Sequence, residues 1–104
     1  MTYWIKKLQT QLGIGVTGVF DEKTLDSVKH IINPPQSVLM LLQEFFNRIY
    51  NSNIKINGEF DIDTREKLLL FQKDYGRETD KTIDYSKFDE PTWELIGKVA
   101  NRRG

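Results

Sequence analysis

The sequence predicts an all-α fold, a small domain of five helices, and three observations predict it. Apolar residues recur at three- and four-residue spacing in five stretches, the period of a helix with one face on a core. The pattern Phe-Asp-x-x-Thr occurs three times, at 20–24, 60–64 and 88–92, and each copy opens one of those stretches. Its Asp is a good helix N-cap, and the negative charge suits the positive end of the helix. The copies lie forty and twenty-eight residues apart, so one small unit is used repeatedly.

Taken in order, helix one is expected over about 2–12, with Met1, Ile5, Leu8 and Leu12 as its apolar stripe and Gly13 and Gly15 as its stop. A short Gly-rich loop leads to Phe20. Helix two starts after Asp21, with Leu25, Val28, Ile31 and Ile32 facing the core, and Pro34 and Pro35 end it. Helix three runs from about Gln36 to Tyr50, with Ser37 the better capping residue. Val38, Leu39, Leu41, Leu42, Phe45, Phe46 and Ile49 give it a wide face, so it should be central and covered on more than one side. Asn51 to Asn53 break it. The alternation over 54–58, with Asn-Gly at its end, also fits a short β-ribbon, but the helix signal after Asp61 outweighs it. Helix four covers 62–75 with Gly76 as its expected C-cap. A polar loop, 77–87, precedes helix five, which begins after Asp89, tolerates Pro91 in its first turn, and turns Trp93, Ile96 and Ala100 inward. The basic end from Asn101 onward reads as frayed. Phe20, Phe60 and Phe88 read as staples, each buried against its own helix.

With 104 residues the chain can bury one modest core. Residues 1–35 read as a truncated repeat and 36–104 as a full unit, in one compact body. Fifteen basic and fifteen acidic residues cancel, unlike the basic surplus of a nucleic-acid binder. No run of eighteen apolar residues offers a helical membrane span. The N-terminus lacks the basic, apolar, small order of a signal peptide, so export is expected to need another route, a removed leader or a larger parent protein. Neither a nucleic acid nor a membrane is an expected partner.

The sequence has no cysteine and one histidine, His30. That removes thiolate metal sites and the usual zinc site, so no metal or cofactor is expected. No Gly-x-Ser-x-Gly elbow accompanies His30. Paired carboxylates such as Asp61 with Asp63, or Asp89 with Glu90, are of the type glycosidases use. Each sits in a first helical turn, where capping and the helix dipole account for it. Trp4, Tyr50, Tyr75, Tyr85 and Trp93 are the aromatics that could offer a flat face. Of these, Trp93 reads as core, and Tyr75 and Tyr85, flanking the last loop, read as exposed.

Leu42-Gln43, then Asn57-Gly58-x-Phe60-Asp61-x-x-Thr64, Leu68-x-x-Phe71-Gln72 and Phe88-Asp89-x-Pro91-Thr92-Trp93-x-x-Ile96 together resemble the peptidoglycan-binding domain family. These are three-helix modules appended to cell-wall hydrolases and phage lysins. The likeness covers about 38–99, and Leu8-Gln9 through Ile31 repeats its first two-thirds. The sequence departs from the family pattern where Thr17 and Asn57 replace an Asp, where Asp21, Asp61 and Asp89 replace a Gly, and where Ser86 replaces another Gly.

The resemblance implies a non-catalytic module that binds peptidoglycan, through a glycan strand or stem peptide, and anchors a parent hydrolase or a phage or secretion assembly. The expected contacts lie at the turns and helix starts, where backbone amides favour the carboxylates of stem peptides: Asn57, Asp61, Thr64, Tyr75, Tyr85 and Thr92, with Asp21 and Thr24 as a weaker duplicate. The turns at Asn57 and Ser86 should border one cleft, with helices four and five packed together and the 77–87 loop closing it. The rival reading is a structural or interaction component of a phage tail, baseplate or secretion apparatus built on the same fold.

Overall fold

A computed structural model describes residues 1–103. The described chain is all-helical, with α1 (Thr2–Leu12), α2 (Glu22–Val28), α3 (Gln36–Tyr50), α4 (Ile62–Tyr75), a 3-10 turn (Gly76–Glu78) and α5 (Glu90–Arg102). The three Phe-Asp-x-x-Thr units open α2, α4 and α5. In each, the Asp side chain accepts the backbone N–H three residues on: Thr24 to Asp21 at 2.9 Å, Thr64 to Asp61 at 3.0 Å and Thr92 to Asp89 at 3.2 Å. One orphan donor per helix start is thereby satisfied.

The helices form one interleaved body. α1 packs on α3 and on α5, α2 packs on α5, and α3 on α4. α5 therefore crosses back over the first repeat, while the 3-10 turn contacts both α4 and α5. Phe20 seats on α5 at Gly97, where a Cβ would fall 2.4 Å from the Phe20 ring. Asn101 clamps the same residue: its Oδ1 accepts the Phe20 N–H at 2.8 Å and its Nδ2 donates to the Phe20 carbonyl at 3.0 Å. The expected fraying from Asn101 is thus replaced by a tie to the first turn. The core runs along α3, where Phe45 packs 5.0 Å from Trp4 and 5.6 Å from Phe71, ring centre to ring centre. Both tryptophans are fully buried. Each indole N–H finds a carbonyl, Trp4 that of Leu41 at 2.7 Å and Trp93 that of Ile31 at 2.9 Å, as a buried indole requires.

Several expectations are corrected. α2 stops at Val28 instead of reaching the prolines, because the Ile31 carbonyl turns to the Trp93 indole and Ile31 itself bonds back to Val28. Ile32 is consequently exposed. His30 lies in the exposed turn after α2. Ser37 does not cap α3; Pro35 holds that position with no side-chain cap, and the neighbouring Gln36 reaches the Asn57 carbonyl at 3.1 Å. Gly76 keeps right-handed backbone (φ −59°) and continues into the 3-10 turn. Residues 54–58 form no strand among the described residues; the Asn47 amide pairs with Ile54 in both directions, at 2.9 and 3.0 Å. Of the three expected staples, Phe88 is buried, Phe20 is buried but seats on α5 instead of its own helix, and Phe60 is 45% exposed. It meets Phe88 edge-on at 6.0 Å, leaving its outer face to solvent.

Candidate functional site

Each predicted turn site is built around a buried glutamine from the preceding helix: Gln9 on α1, Gln43 on α3 and Gln72 on α4. The Gln43 carbonyl oxygen accepts the N–H groups of Asn57 and Gly58, at 3.0 and 2.8 Å. Its amide nitrogen faces Asn57 Oδ1, the Glu59 carbonyl and Thr64 Oγ1, at 2.9–3.0 Å. The Thr64 hydroxyl in turn donates to Asp61 at 2.7 Å. Gln9 repeats this with Thr17, Gly18, the Val19 carbonyl and Thr24. Gln72 repeats it with Ser86, the Lys87 carbonyl and Thr92. A glutamine, a left-handed turn residue, and an Asp–Thr pair at the helix start thus form one lock, made three times. None of its buried side-chain polar atoms lacks a partner.

That lock decides the fate of most of the predicted ligand contacts. Thr24, Thr64 and Thr92 are fully buried, each hydroxyl held between an Asp and a Gln. Asp21 and Asp61 sit at the rim with one oxygen occupied twice by their own threonine. Those bonds, from the Thr N–H first and its hydroxyl second, hold both carboxyls below the ordinary aspartate value of 3.8. Asn57 is half-buried and spends its Oδ1 on Gln43 and the Glu59 N–H. Tyr75 is half-buried against Phe71, ring centres 4.9 Å apart. Of these residues only Asp21, committed to its cap, and Tyr85, at 52% exposure, are open to solvent.

The expected cleft also takes another form. Beside the second and third turns lies a small cleft of about 110 Å³ between Ile32, Pro34, Leu39, Phe60, Lys87 and Phe88. Tyr75 and Tyr85 do not line it. The side of the 77–87 loop facing α5 is latched there by Lys81, which pairs with Glu90 and Glu94.

A larger concavity, about 630 Å³, lies between α1 and α3. α1 lines it with Tyr3, Lys6, Lys7, Thr10 and Gln11, and α3 with Ser37, Met40, Leu41 and Glu44; Ile56 closes one end. Both helices present the spacing i, i+3, i+4, i+7, which is one face of a helix. Tyr3 is 70% exposed. Lys7 braces it: the ammonium lies 5.1 Å from the Tyr3 ring centre while bonding both Glu44 oxygens, at 2.7 and 2.8 Å. Lys7 and Glu44 neutralise each other. Lys6 makes no ion pair among the described residues, and the Gln11 amide and Ser37 hydroxyl are likewise uncommitted. The sequence reading missed this groove because its signal, a polar stripe at helical spacing, is also that of any solvated helix face. The nearness of the two stripes is a tertiary fact.

Among the described residues, no group of three His, Asp or Glu side chains is placed to hold a metal ion, and no helix is long and apolar enough to cross a membrane. No protein-family model, curated protein or solved structure matches the chain.

Proposed function

We propose that the chain is a non-catalytic module that binds peptidoglycan and anchors a parent protein or assembly at the cell wall, and that it does so through the α1–α3 groove instead of the turns. The motif resemblance supplies the ligand class. The observation that carries the site is a contrast in commitment. The polar side chains of the three locks are spent on the fold, whereas the groove joins the open ring of Tyr3 to the Gln11 amide and Ser37 hydroxyl, which make no hydrogen bond among the described residues. A concave site with a few convergent polar groups beside apolar area fits a saccharide with an attached peptide. The non-catalytic reading is supported by the acids themselves: Glu44, the groove's one carboxylate, is closed by Lys7 on both oxygens, and Asp21 and Asp61 cap helices.

Retention on purified sacculi tests this reading: the protein should sediment with them and be released by soluble muropeptide, and clean flow-through would reject it. A second reading, a structural component of a phage or secretion assembly, draws on the exposed apolar faces of Ile32 and Phe60 at the small cleft. Flow-through from sacculi, with a defined assembly protein captured through Ile32 and Phe60, would favour it.

A further inference from the structure

We propose that Asn57 is a site of spontaneous deamidation and that the Gln43 lock gates it: the native turn withholds the reaction, and the isoaspartyl product cannot rebuild the lock. The chain has six asparagines, and Asn57 is the only one followed by glycine. With no Cβ on the following residue, that residue's backbone nitrogen has open access to the asparagine side chain. In the reaction, hydroxide removes the Gly58 amide proton and the freed nitrogen forms a bond to Asn57 Cγ. The Cγ–Nδ2 bond breaks, and the side-chain nitrogen takes a proton from water and leaves as ammonia. Water then opens the cyclic imide at either carbonyl, giving aspartate or isoaspartate at position 57. Water is the only co-reactant, and nothing is oxidised or reduced.

The lock blocks the first step. The Gly58 N–H donates to Gln43 Oε1 at 2.8 Å, and the Asn57 N–H shares that oxygen at 3.0 Å. A proton held in such a bond meets base only when the bond opens. The carbon under attack is fixed as well. Asn57 Oδ1 accepts from Gln43 Nε2 and from the Glu59 N–H, both at 3.0 Å. The Asn57 main-chain carbonyl accepts from Gln36 Nε2 at 3.1 Å. While Gln43 holds both reacting groups, the Gly58 nitrogen cannot swing onto Cγ, so native deamidation runs through opening of this turn. The first and third locks place Thr17 and Tyr85 ahead of the left-handed residue, which confines the chemistry to the second. The isoaspartyl product adds one carbon to the main chain between 57 and 58. Gly58 has no slack to absorb it, since even a Cβ there would stand 2.2 Å from Gln36 Cγ and 2.7 Å from the Gln36 carbonyl oxygen. Its N–H then misses Gln43, and the shift falls beside Ile56, which closes one end of the α1–α3 groove. The aspartyl product keeps an acceptor oxygen for Gln43 and Glu59, and with it the lock.

The test ages the whole chain in mildly alkaline buffer, with and without urea, and reads each asparagine by peptide mapping and mass spectrometry. In urea, Asn57 should react ahead of every other asparagine and yield both products. In native buffer it should react about tenfold more slowly or less, because opening breaks the Gly58 bond together with its Gln43 partners. Hydrogen exchange at the Gly58 amide should be slowed too, but by no more than deamidation, since exchange does not also require the Asn57 side chain to come free. Gln43→Ala should bring the native rate up to the urea rate, while Gln9→Ala, the same change in the first lock, should leave it as it was. Circular dichroism shows whether each variant is folded; where Gln43→Ala is not, the wild-type comparison of Gly58 exchange with deamidation decides. The deamidated fraction, separated by its added negative charge, should unfold at lower urea than Asn57→Asp. Equal rates at Asn57 in native buffer and urea would overturn the gate, as would a Gly58 amide more protected than the side chain it attacks. A folded Gln9→Ala that accelerates the reaction as much as a folded Gln43→Ala would overturn it also. Another asparagine reacting first in urea would overturn the site, and a deamidated fraction as stable as Asn57→Asp would overturn the loss of the lock.

Discussion

Ser86 occupies a backbone position that its two counterparts give to glycine. Gly18, Gly58 and Ser86 each donate their N–H to the lock glutamine, at 3.0, 2.8 and 2.9 Å, and each has left-handed backbone, with φ of 80°, 72° and 68°. A side chain costs energy in that region because Cβ crowds the following carbonyl, and glycine avoids the cost. The glycine at 58 also has a second reason, since a Cβ there would stand 2.7 Å from the Gln36 carbonyl oxygen. Ser86→Gly is therefore expected to stabilise by about 1 kcal/mol, reduced somewhat by the freer unfolded chain; urea titration measures it, and a destabilised variant would contradict the equivalence of the three locks. The caps add a pH dependence at the same scale. With Asp21 and Asp61 held below their ordinary value of 3.8 by bonds from Thr24 and Thr64, their contribution is present above that value and is lost as pH falls through the lowered one. Asp61→Asn keeps an acceptor for the Thr64 N–H and removes the titration. Melting temperatures in acid should fall less steeply for Asp61→Asn than for the wild type.

At the level of the element, the chain announced its helices plainly because each boundary is a local event. Asp21, Asp61 and Asp89 cap where their sequence neighbours place them, and α1, α3 and α4 run over the residues their apolar spacing marks. What was not legible is what covers a residue from elsewhere in the chain. Phe60 and Phe88 stand at the same place in the motif, yet only Phe88 is enclosed, by Phe46 at 6.5 Å, Phe60 at 6.0 Å and Trp93 at 5.9 Å. The same holds for the glutamines. A single Gln after an apolar residue reads as the polar side of a helix, and its four or five bonds appear only once the loop folds over it. Phe88→Ala should accordingly cost about 3–5 kcal/mol, the range for emptying a buried aromatic site. Phe60→Ala, with much of its ring already in water, should cost clearly less. Equal losses in denaturant titrations would mean that Phe60 is covered in solution.

On the scale of the molecule, side chains stitch the first repeat to the rest of the chain at four places, and the Met1 ammonium adds a bond to the Arg103 carbonyl. Trp4 on α1 bonds the Leu41 carbonyl of α3, and Trp93 on α5 bonds the Ile31 carbonyl after α2. Lys7 reaches Glu44, and Asn101 clamps Phe20. Two buried indole bonds and a closely packed Phe20–Gly97 contact cannot be lost without exposing apolar area on both sides. Small domains with one shared core unfold in a single step, and that is the behaviour expected here. The two tryptophans are the natural reporters, because each sits at a different seam. In Trp93→Phe the remaining indole reports the α1–α3 seam, and in Trp4→Phe it reports the seam between α5 and the turn after α2. Within each variant, the fluorescence midpoint in urea should coincide with that of far-UV circular dichroism. Either variant is expected to be less stable than the wild type, since the carbonyl of Leu41 or Ile31 loses its donor, but the two probes should move together. A Trp4 signal that changes at lower urea than the helical signal would show the first repeat detaching on its own, and the interleaved packing of α5 over α1 and α2 would then be too weak to hold the repeats as one unit.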